Sequence, residues 1–430
     1  MLDLKFVKEN AGAVRTNIEN RFMKVDLDTL LSLYDRRAAL SLQAGGLRQR
    51  RNENAAAMKG PLEPDRRAAL VEEGKSLKEQ IAACEEELGQ VEARLEPLAA
   101  SIPNMAHPDA PIGREDKSNL EISRWGTPPQ FDFVPKDHVE LALALDMADF
   151  DAATKVSGPK FYYLKNRGVF LELALCRYAL DILSARGFTP LITPDIAREE
   201  VLLGIGFNPR GEESNIYTLE GTGTALVGTA EITLGGYYAG ATFASRDLPV
   251  KLAGLSHCFR REAGAAGQYS KGLYRVHQFT KVEMFIYCLP EDSEKYHREI
   301  LSLEEEIFRG LEIPYRVVDT CTGDLGAPAY RKFDLEAWMP GRGEAGDWGE
   351  ITSASNCTDY QARRLGCRFK RGPGEPGEER GFVHMLNGTA VAVSRAMIAI
   401  LENFQQADGS VRIPAGLAPY AGFDSISPRN

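Results

Sequence analysis

VKLAGLSHCFRREAGAAGQYSKGLYRVHQFTKVEMFIYCL, residues 250–289, reads as a strand, a loop of small residues (AGAAGQYSKG, 263–272) and a returning strand. Alternate residues of a strand share a face. Arg260 and Glu262 therefore point the same way on the first strand. On the second, Arg275, His277, Phe279, Lys281 and Glu283 line one face, while Val276, Val282, Met284 and Ile286 take the other. Spacing alone leaves two uses for the charged ladder, a solvated outer face or the wall of a site for a polar ligand.

Two further stretches favour the ligand. GTAVAVSRAMIAIL (388–401) reads as a helix that follows a strand over 382–386, and Arg395 is its single charged residue. A guanidinium on an apolar helix is costly to bury without an anion, so a phosphate or carboxylate should meet it; an internal Asp or Glu would serve as well. GTAEITLGG (228–236) and GEITSASNCTDYQARR (349–364) each set one carboxylate among hydroxyl and glycine residues. That chemistry suits an ammonium group or Mg²⁺ better than a core.

Toward the N-terminus the composition turns helical. Leu77, Ile81, Cys84, Leu88, Val91, Leu95 and Leu98 follow one another at alternating intervals of four and three. That is a coiled-coil seam. Leu27, Leu31, Tyr34, Ala38 and Leu42 give a similar seam earlier, and GPLEPD (60–65) lies between as a turn. The pattern fits a dimerisation coiled coil as well as an antiparallel hairpin; the N-terminal position and single turn favour an arm folded back on itself. SIPNMAHPDAPIG (101–113) is a linker. The expected division is a helical arm at 1–105 and an α+β domain at 106–430.

Composition bounds the rest. The 430 residues carry 43% apolar and 26% charged side chains with a net charge of −10, which suits a globular chain and excludes a protein that coats nucleic acid by charge alone. No apolar run of about 18 residues occurs, so no membrane span is expected. The first ten residues mix both charge signs and lack a signal-peptide core. Seven scattered cysteines without a C-x-x-C pair point to reduced thiols in a cytoplasm. GRGEAG (341–346) matches a dinucleotide fingerprint by letter only, since Met339-Pro340 stands where the strand should be. P-loop, nucleophile-elbow and H-x-x-x-H patterns are absent from the sequence.

FRREAG with GLYRVHQFTKVEMF resembles motif 2 of the class II aminoacyl-tRNA synthetases, in the form of the bacterial seryl-tRNA synthetase family. NGTAVAVSRAMIAILENFQQADG (387–409) resembles motif 3, and GFTPLITPDI (187–196) motif 1, with Pro194 as its proline. TAE (229–231) and EITSASNCTDYQARR (350–364) are seryl-type signatures, and the arm is the family's N-terminal hairpin. Departures are small: Gly228 stands where a proline is frequent, 341–347 is glycine-rich, and a short tail covers 421–430. Threonyl, prolyl and histidyl relatives carry about a hundred further residues after motif 3 as an anticodon-binding domain. Here only the 29 residues 402–430 follow Leu401, so tRNA recognition is expected from the N-terminal arm.

The resemblance implies an antiparallel sheet flanked by helices, a homodimer formed through motif 1, and serine activation by ATP followed by transfer to tRNA(Ser) and tRNA(Sec). It implies that Arg260 holds the α-phosphate and the serine carboxylate, with Arg261 beside it among the ATP contacts. Glu262 and the Val276 backbone would meet the adenine edge, Phe279 one ring face, and Arg395 the other face and the γ-phosphate. Glu350 and Ser353 would hold Mg²⁺, with Ile351 and Thr352 between them on the ATP wall. Thr229, Ala230 and Glu231 would take the serine ammonium, and Glu283 and Thr389 its hydroxyl; the division between Glu231 and Glu283 stays open. Arg48, Arg50 and Arg51 would grip tRNA phosphates, although a charge run by itself favours a solvated helix end. Two other readings compete. An arm-less paralogue that charges a carrier protein conflicts with the hairpin, and a non-catalytic regulator conflicts with the presence of Arg260, Glu350 and Arg395.

Overall fold

The computed structural model describes residues 1–208, 214–262, 270–377 and 379–428. The chain forms two compact units, Met1–Pro103 and Asn104–Asn430.

The first unit is dominated by an antiparallel pair of helices, α1 (Leu27–Ala57) and α2 (Pro64–Ser101). The Asp26 carboxylate caps α1 by accepting from the Thr29 amide at 3.0 Å, and Pro64 occupies the first turn of α2, where a missing N–H costs nothing. The α2 seam is the expected one: Leu77, Ile81, Cys84, Val91 and Leu95 are buried. On α1 Leu27 is buried as expected, but beyond it the seam departs from the expected one. Leu30, Leu33, Leu40, Ala44 and Leu47 are buried, whereas Leu42 is 80% exposed. Leu33, Leu40 and Leu47 stand at heptad intervals, whereas the expected register puts Tyr34 and Ala38 seven residues after Leu27 and Leu31. Two short helices, Leu4–Glu9 and Ala11–Asn20, precede α1.

The second unit is built on an eight-stranded sheet. Its strands are β1 (Leu120–Trp125), β2 (Thr189–Ile192), β3 (Val250–Phe259), β4 (Gln278–Cys288), β5 (Tyr315–Asp319), β6 (Arg331–Met339), β7 (Asp347–Asn356) and β8 (His384–Ala392). Their spatial order is β1-β5-β6-β7-β8-β4-β3-β2. Every neighbouring pair is antiparallel except β2 with β3. The helices that matter to the site are α3 (Arg167–Ala185), α4 (Ala230–Gly236), α5 (Ser293–Gly310) and α6 (Val393–Asn403).

The alternation read on β4 holds. Val282, Met284 and Ile286 enter a core shared with Leu171 and Leu175 of α3, Ile300 of α5 and Met397 of α6. Phe285 and Tyr287, on the other face, enter a second core with Leu234 of α4. Two expected boundaries shift. β3 ends at Phe259 and β4 begins at Gln278, so Arg260, Glu262, Arg275, Val276 and His277 lie beyond the regular ladder. Glu262 has φ +49°, a left-handed backbone that takes its side chain off the strand alternation. Of the connecting loop, 263–269 lies outside the described residues. Residues 388–392 are the end of strand β8 rather than the start of a helix. Their main chain pairs with β4, and Gly388 pairs with Ala354 of β7 as well.

Candidate active site

A cleft opens beyond the ends of β3 and β4. Arg260, Glu262, Tyr274, Arg275, Val276 and Phe279 line it from the β3–β4 side. Glu350, Ile351, Thr352 and Ser353 line it from β7, and Thr389, Ala392, Ser394 and Arg395 from β8 and α6. Ten residues expected in the site are thus brought into one cleft from parts of the chain up to 135 positions apart in sequence, from Arg260 to Arg395. Arg261 is not among the lining residues. It is exposed, and its backbone amide donates to the Asn215 carbonyl at 2.9 Å.

The two arginines are held on opposite walls. Arg260 donates from Nε to the Gly228 carbonyl at 3.3 Å and lies over the Phe279 ring, 5.3 Å from its centroid. Arg395 lies 4.8 Å from the Tyr274 ring centroid. The anion awaiting Arg395 within the chain is Glu350, through the carbonyl oxygen at 2.9 Å and Oε1 at 3.4 Å. Glu350 nevertheless remains half-exposed in the cleft. Desolvation acts to raise its pKa, but Arg395, Lys332 and Arg260 outweigh it and hold the carboxyl below the ordinary glutamate value. Glu262 makes an ion pair with Arg275 at 2.6 Å, so the residue read as an adenine contact has a fixed direction.

A second group of polar residues is largely buried, with Glu231 itself partly so. Thr229 caps α4, its Oγ1 accepting from the Glu231 amide at 3.2 Å, and Ala230 is buried at the first turn. Glu231 Oε1 accepts from Gln361 Nε2 at 2.8 Å and Asn387 Nδ2 at 3.0 Å. Burial, and secondarily Glu283, pushes the Glu231 carboxyl up to about 7. Glu283 pairs with Lys281 at 2.6 Å and accepts from Thr389 Oγ1 at 3.2 Å. Lys281 and Thr389 also line the cleft, so this buried group adjoins it. Lys281 stood on the charged ladder without an assigned role; Gln361, Asn387 and Tyr274 are site residues that the sequence reading missed as such. Each lay inside a quoted motif, but nothing in its spacing singled it out, because its role comes from a neighbour distant in the chain.

Hard oxygen donors are available for Mg²⁺. Glu350 and Ser353 both line the cleft, and Mg²⁺ is ordinarily held by one or two such donors together with substrate phosphates. Among the described residues no group of three or more His, Cys, Asp or Glu side chains could hold a metal ion by itself. On the first unit, Arg48 pairs with Glu85 at 2.7 Å and Arg50 with Glu73 at 3.4 Å, both across the hairpin.

An antiparallel sheet whose cleft is walled by one arginine from a β-hairpin and another from a helix defines a class II aminoacyl-tRNA synthetase core. The family model "tRNA synthetase class II core domain (G, H, P, S and T)" matches residues 222–404, and "Seryl-tRNA synthetase N-terminal domain" matches 1–106. The chain is 62% identical over 426 residues to a serine–tRNA ligase of Treponema denticola, covering 99% of this chain and all of the relative. The crystal structure of seryl-tRNA synthetase from Pyrococcus horikoshii complexed with ATP superposes with TM-score 0.90 at 39% identity, covering both chains fully. That of cytoplasmic serine–tRNA ligase from Naegleria fowleri in complex with AMP gives 0.85 at 32%, covering 98% of this chain and 96% of the other. The chain belongs to the seryl-tRNA synthetase family.

Proposed function

We propose that this chain activates L-serine with ATP and transfers the seryl group to tRNA(Ser) and, as the family resemblance implies, to tRNA(Sec). The observation that carries this reading is the joining of a cleft walled by Arg260 and Arg395 to a buried carboxylate pocket, Glu231 and Glu283. The cleft suits a triphosphate, and the pocket suits a small ammonium-bearing substrate with one hydroxyl.

A serine carboxylate oxygen attacks the α-phosphorus of ATP in line, the bond to the β-phosphate oxygen breaks, and pyrophosphate leaves. The 3′-terminal ribose hydroxyl then attacks the acyl carbon and AMP departs. Arg260 stabilises charge on the α-phosphate and holds the attacking carboxylate beside it; no covalent enzyme intermediate is needed. Phe279 stacks one adenine face and Arg395 the other, with Glu262 and the Val276 backbone at the ring edge. Glu231 with Thr229 takes the ammonium, Glu283 with Thr389 the hydroxyl. Glu350 and Ser353 would hold Mg²⁺, which supplies charge neutralisation to the phosphates when bound. Arg48, Arg50 and Arg51 on the helical unit would contact tRNA phosphates, joined by Arg66 and Arg67, which stand exposed in the first turn of α2.

A homodimer through motif 1 is supported by an apolar surface at α3 and β2. Phe170, Leu173 and Ile192 are 57%, 60% and 84% exposed there. All seven cysteines are buried, which is consistent with a cytoplasmic enzyme. No described helix is long and apolar enough to cross a membrane.

The test is amino-acid-dependent ATP–pyrophosphate exchange across the twenty amino acids. Serine is expected to support exchange, and alanine to fall short by roughly 10⁴–10⁵ in kcat/KM, because loss of the hydroxyl strands buried polar groups. No serine-dependent exchange, or alanine within about tenfold of serine, would overturn this reading.

A further inference from the structure

His138 is fully buried, at the start of the short helix His138–Ala144 and outside every motif considered above. Its backbone amide and its Nδ1 both meet Glu402 Oε1, at 2.9 and 2.8 Å. Glu402 is equally buried, near the end of α6, and its other oxygen accepts from the Gly341 amide at 2.8 Å. A carboxylate accepts, so the imidazole hydrogen sits on Nδ1 and Nε2 keeps a lone pair. The backbone N–H of Leu273 points at Nε2 from 3.2 Å and takes that lone pair; the Lys271 carbonyl, also 3.2 Å from Nε2, accepts from the Tyr274 amide at 3.1 Å.

Leu273 belongs to the return arm that leads into β4, and the next three residues, Tyr274, Arg275 and Val276, all line the nucleotide cleft. The approach is close. Gly272 has φ +53°, and a Cβ there would stand 2.4 Å from both His138 Nε2 and Val139 Cγ2. Beside it, Lys271 makes an ion pair with Asp137. The helix that carries Glu402 carries Arg395 at its other end, over the Tyr274 ring. Both walls of the cleft are therefore referred to one rigid helix, directly by Arg395 and through Glu402 and His138 by the return arm.

We propose that His138, held by Glu402, is a positioning residue for ATP: it fixes the backbone at Leu273 so that the three following residues meet the nucleotide. This rests on the reading of the cleft as an ATP site. His138 touches no substrate, so its effect should fall on ATP affinity and leave the serine pocket alone. A buried N–H left without an acceptor costs enough to displace a short arm, and small displacements at a site are felt strongly.

The experiment compares His138→Gln with His138→Met, side chains of similar length of which only Gln offers a strong acceptor at the Nε2 position. In serine-dependent pyrophosphate exchange, His138→Met is expected to raise KM for ATP about tenfold, the scale of one lost hydrogen bond, with KM for serine within about twofold. His138→Gln should restore most of the ATP affinity. Equal ATP affinities in the two variants, or equal shifts in both substrates, would overturn the proposal. Hydrogen exchange at Leu273 is read in parallel and needs no activity. The amide should be protected in the unaltered chain and in His138→Gln and exchange faster in His138→Met. Rapid exchange in the unaltered chain overturns the anchor even if neither variant folds. Absence of serine-dependent exchange in the unaltered chain would instead strike the functional reading, with the Leu273 amide still reporting on the anchor.

Discussion

Glu231 is a carboxyl with two amide donors and no cation in direct contact among the described residues, which is why burial raises it to about 7 from an ordinary 4.5. A raised carboxyl pKa means that the native state holds a proton the unfolded chain has lost. The contribution of this group to stability therefore declines as pH rises from about 4.5 through 7. Substrate binding has the opposite sign, because an ammonium needs the ionised form. Under the proposed assignment, KM for serine should fall with rising pH by up to about tenfold per unit below pH 7, then level off. Glu231→Gln should give a KM that is high and flat. A pH-independent KM in the unaltered chain, measured by exchange at saturating ATP, would assign the ammonium elsewhere.

Gly388 sits mid-strand in β8, paired with Met284 of β4 on one side and Ala354 of β7 on the other. A Cβ there would lie 2.2 Å from Ile300 Cγ2 and 2.8 Å from Glu304 Oε1, both on α5. Glu304 is fully buried and accepts from Thr352 Oγ1 at 2.7 Å, and burial pushes its carboxyl well above the usual range. Gly388→Ala must therefore push α5 away or shift β8. We expect a loss of about 1–3 kcal/mol, the usual cost of overpacking, read by chemical denaturation. KM for serine should rise as well, because Thr389 is the next residue. Unchanged stability would mean that α5 yields at no cost. GTAVAV suits a strand or a helix by composition, and the helical reading of 388–392 failed because pairing with β4, about 100 residues away, and at Gly388 also with Ala354 of β7, 34 residues away, outweighs local propensity.

The hairpin places its charges unevenly. Over 27–58 five arginines face three acids, whereas α2 carries nine acids (Asp65, Glu72, Glu73, Glu79, Glu85, Glu86, Glu87, Glu92 and Glu96) against five basic residues. Nucleic acid should therefore approach the α1 side and the turn. Arg48 and Arg50 already pair with glutamates of α2, but both stay more than half exposed, and exposed pairs are weak enough for a phosphate to displace. Replacing Arg48, Arg50 and Arg51 together by Ala should weaken tRNA binding and flatten its log–log salt slope by up to about three, at roughly 0.9 per phosphate contact. Pyrophosphate exchange should stay within a few-fold of normal, since no residue of the cleft is touched. An unchanged slope would mean that these arginines serve the hairpin alone.

The sequence by itself determined the elements whose signal is local and periodic: the α2 seam, the two faces of β4, and the polar motifs that reappear around one cleft. It also carried the family, because the ordered motifs preserve chemistry as well as structure. Tertiary packing decided what periodicity leaves degenerate. It chose the α1 register, burying Leu30 and Leu33 where the spacing suggested Leu31 and Tyr34. It ended β3 at Phe259 and turned Glu262 into a left-handed conformation, so that its side chain meets Arg275 rather than following the strand. It gave Arg395 a carboxylate in Glu350, and gave Glu231 the donors Gln361 and Asn387. Hydrogen bonds and desolvation depend on atoms that are close in space and far apart along the chain, and neither leaves a period to read. His138 is the clearest case, a histidine without any motif whose partners lie 135 and 264 positions away.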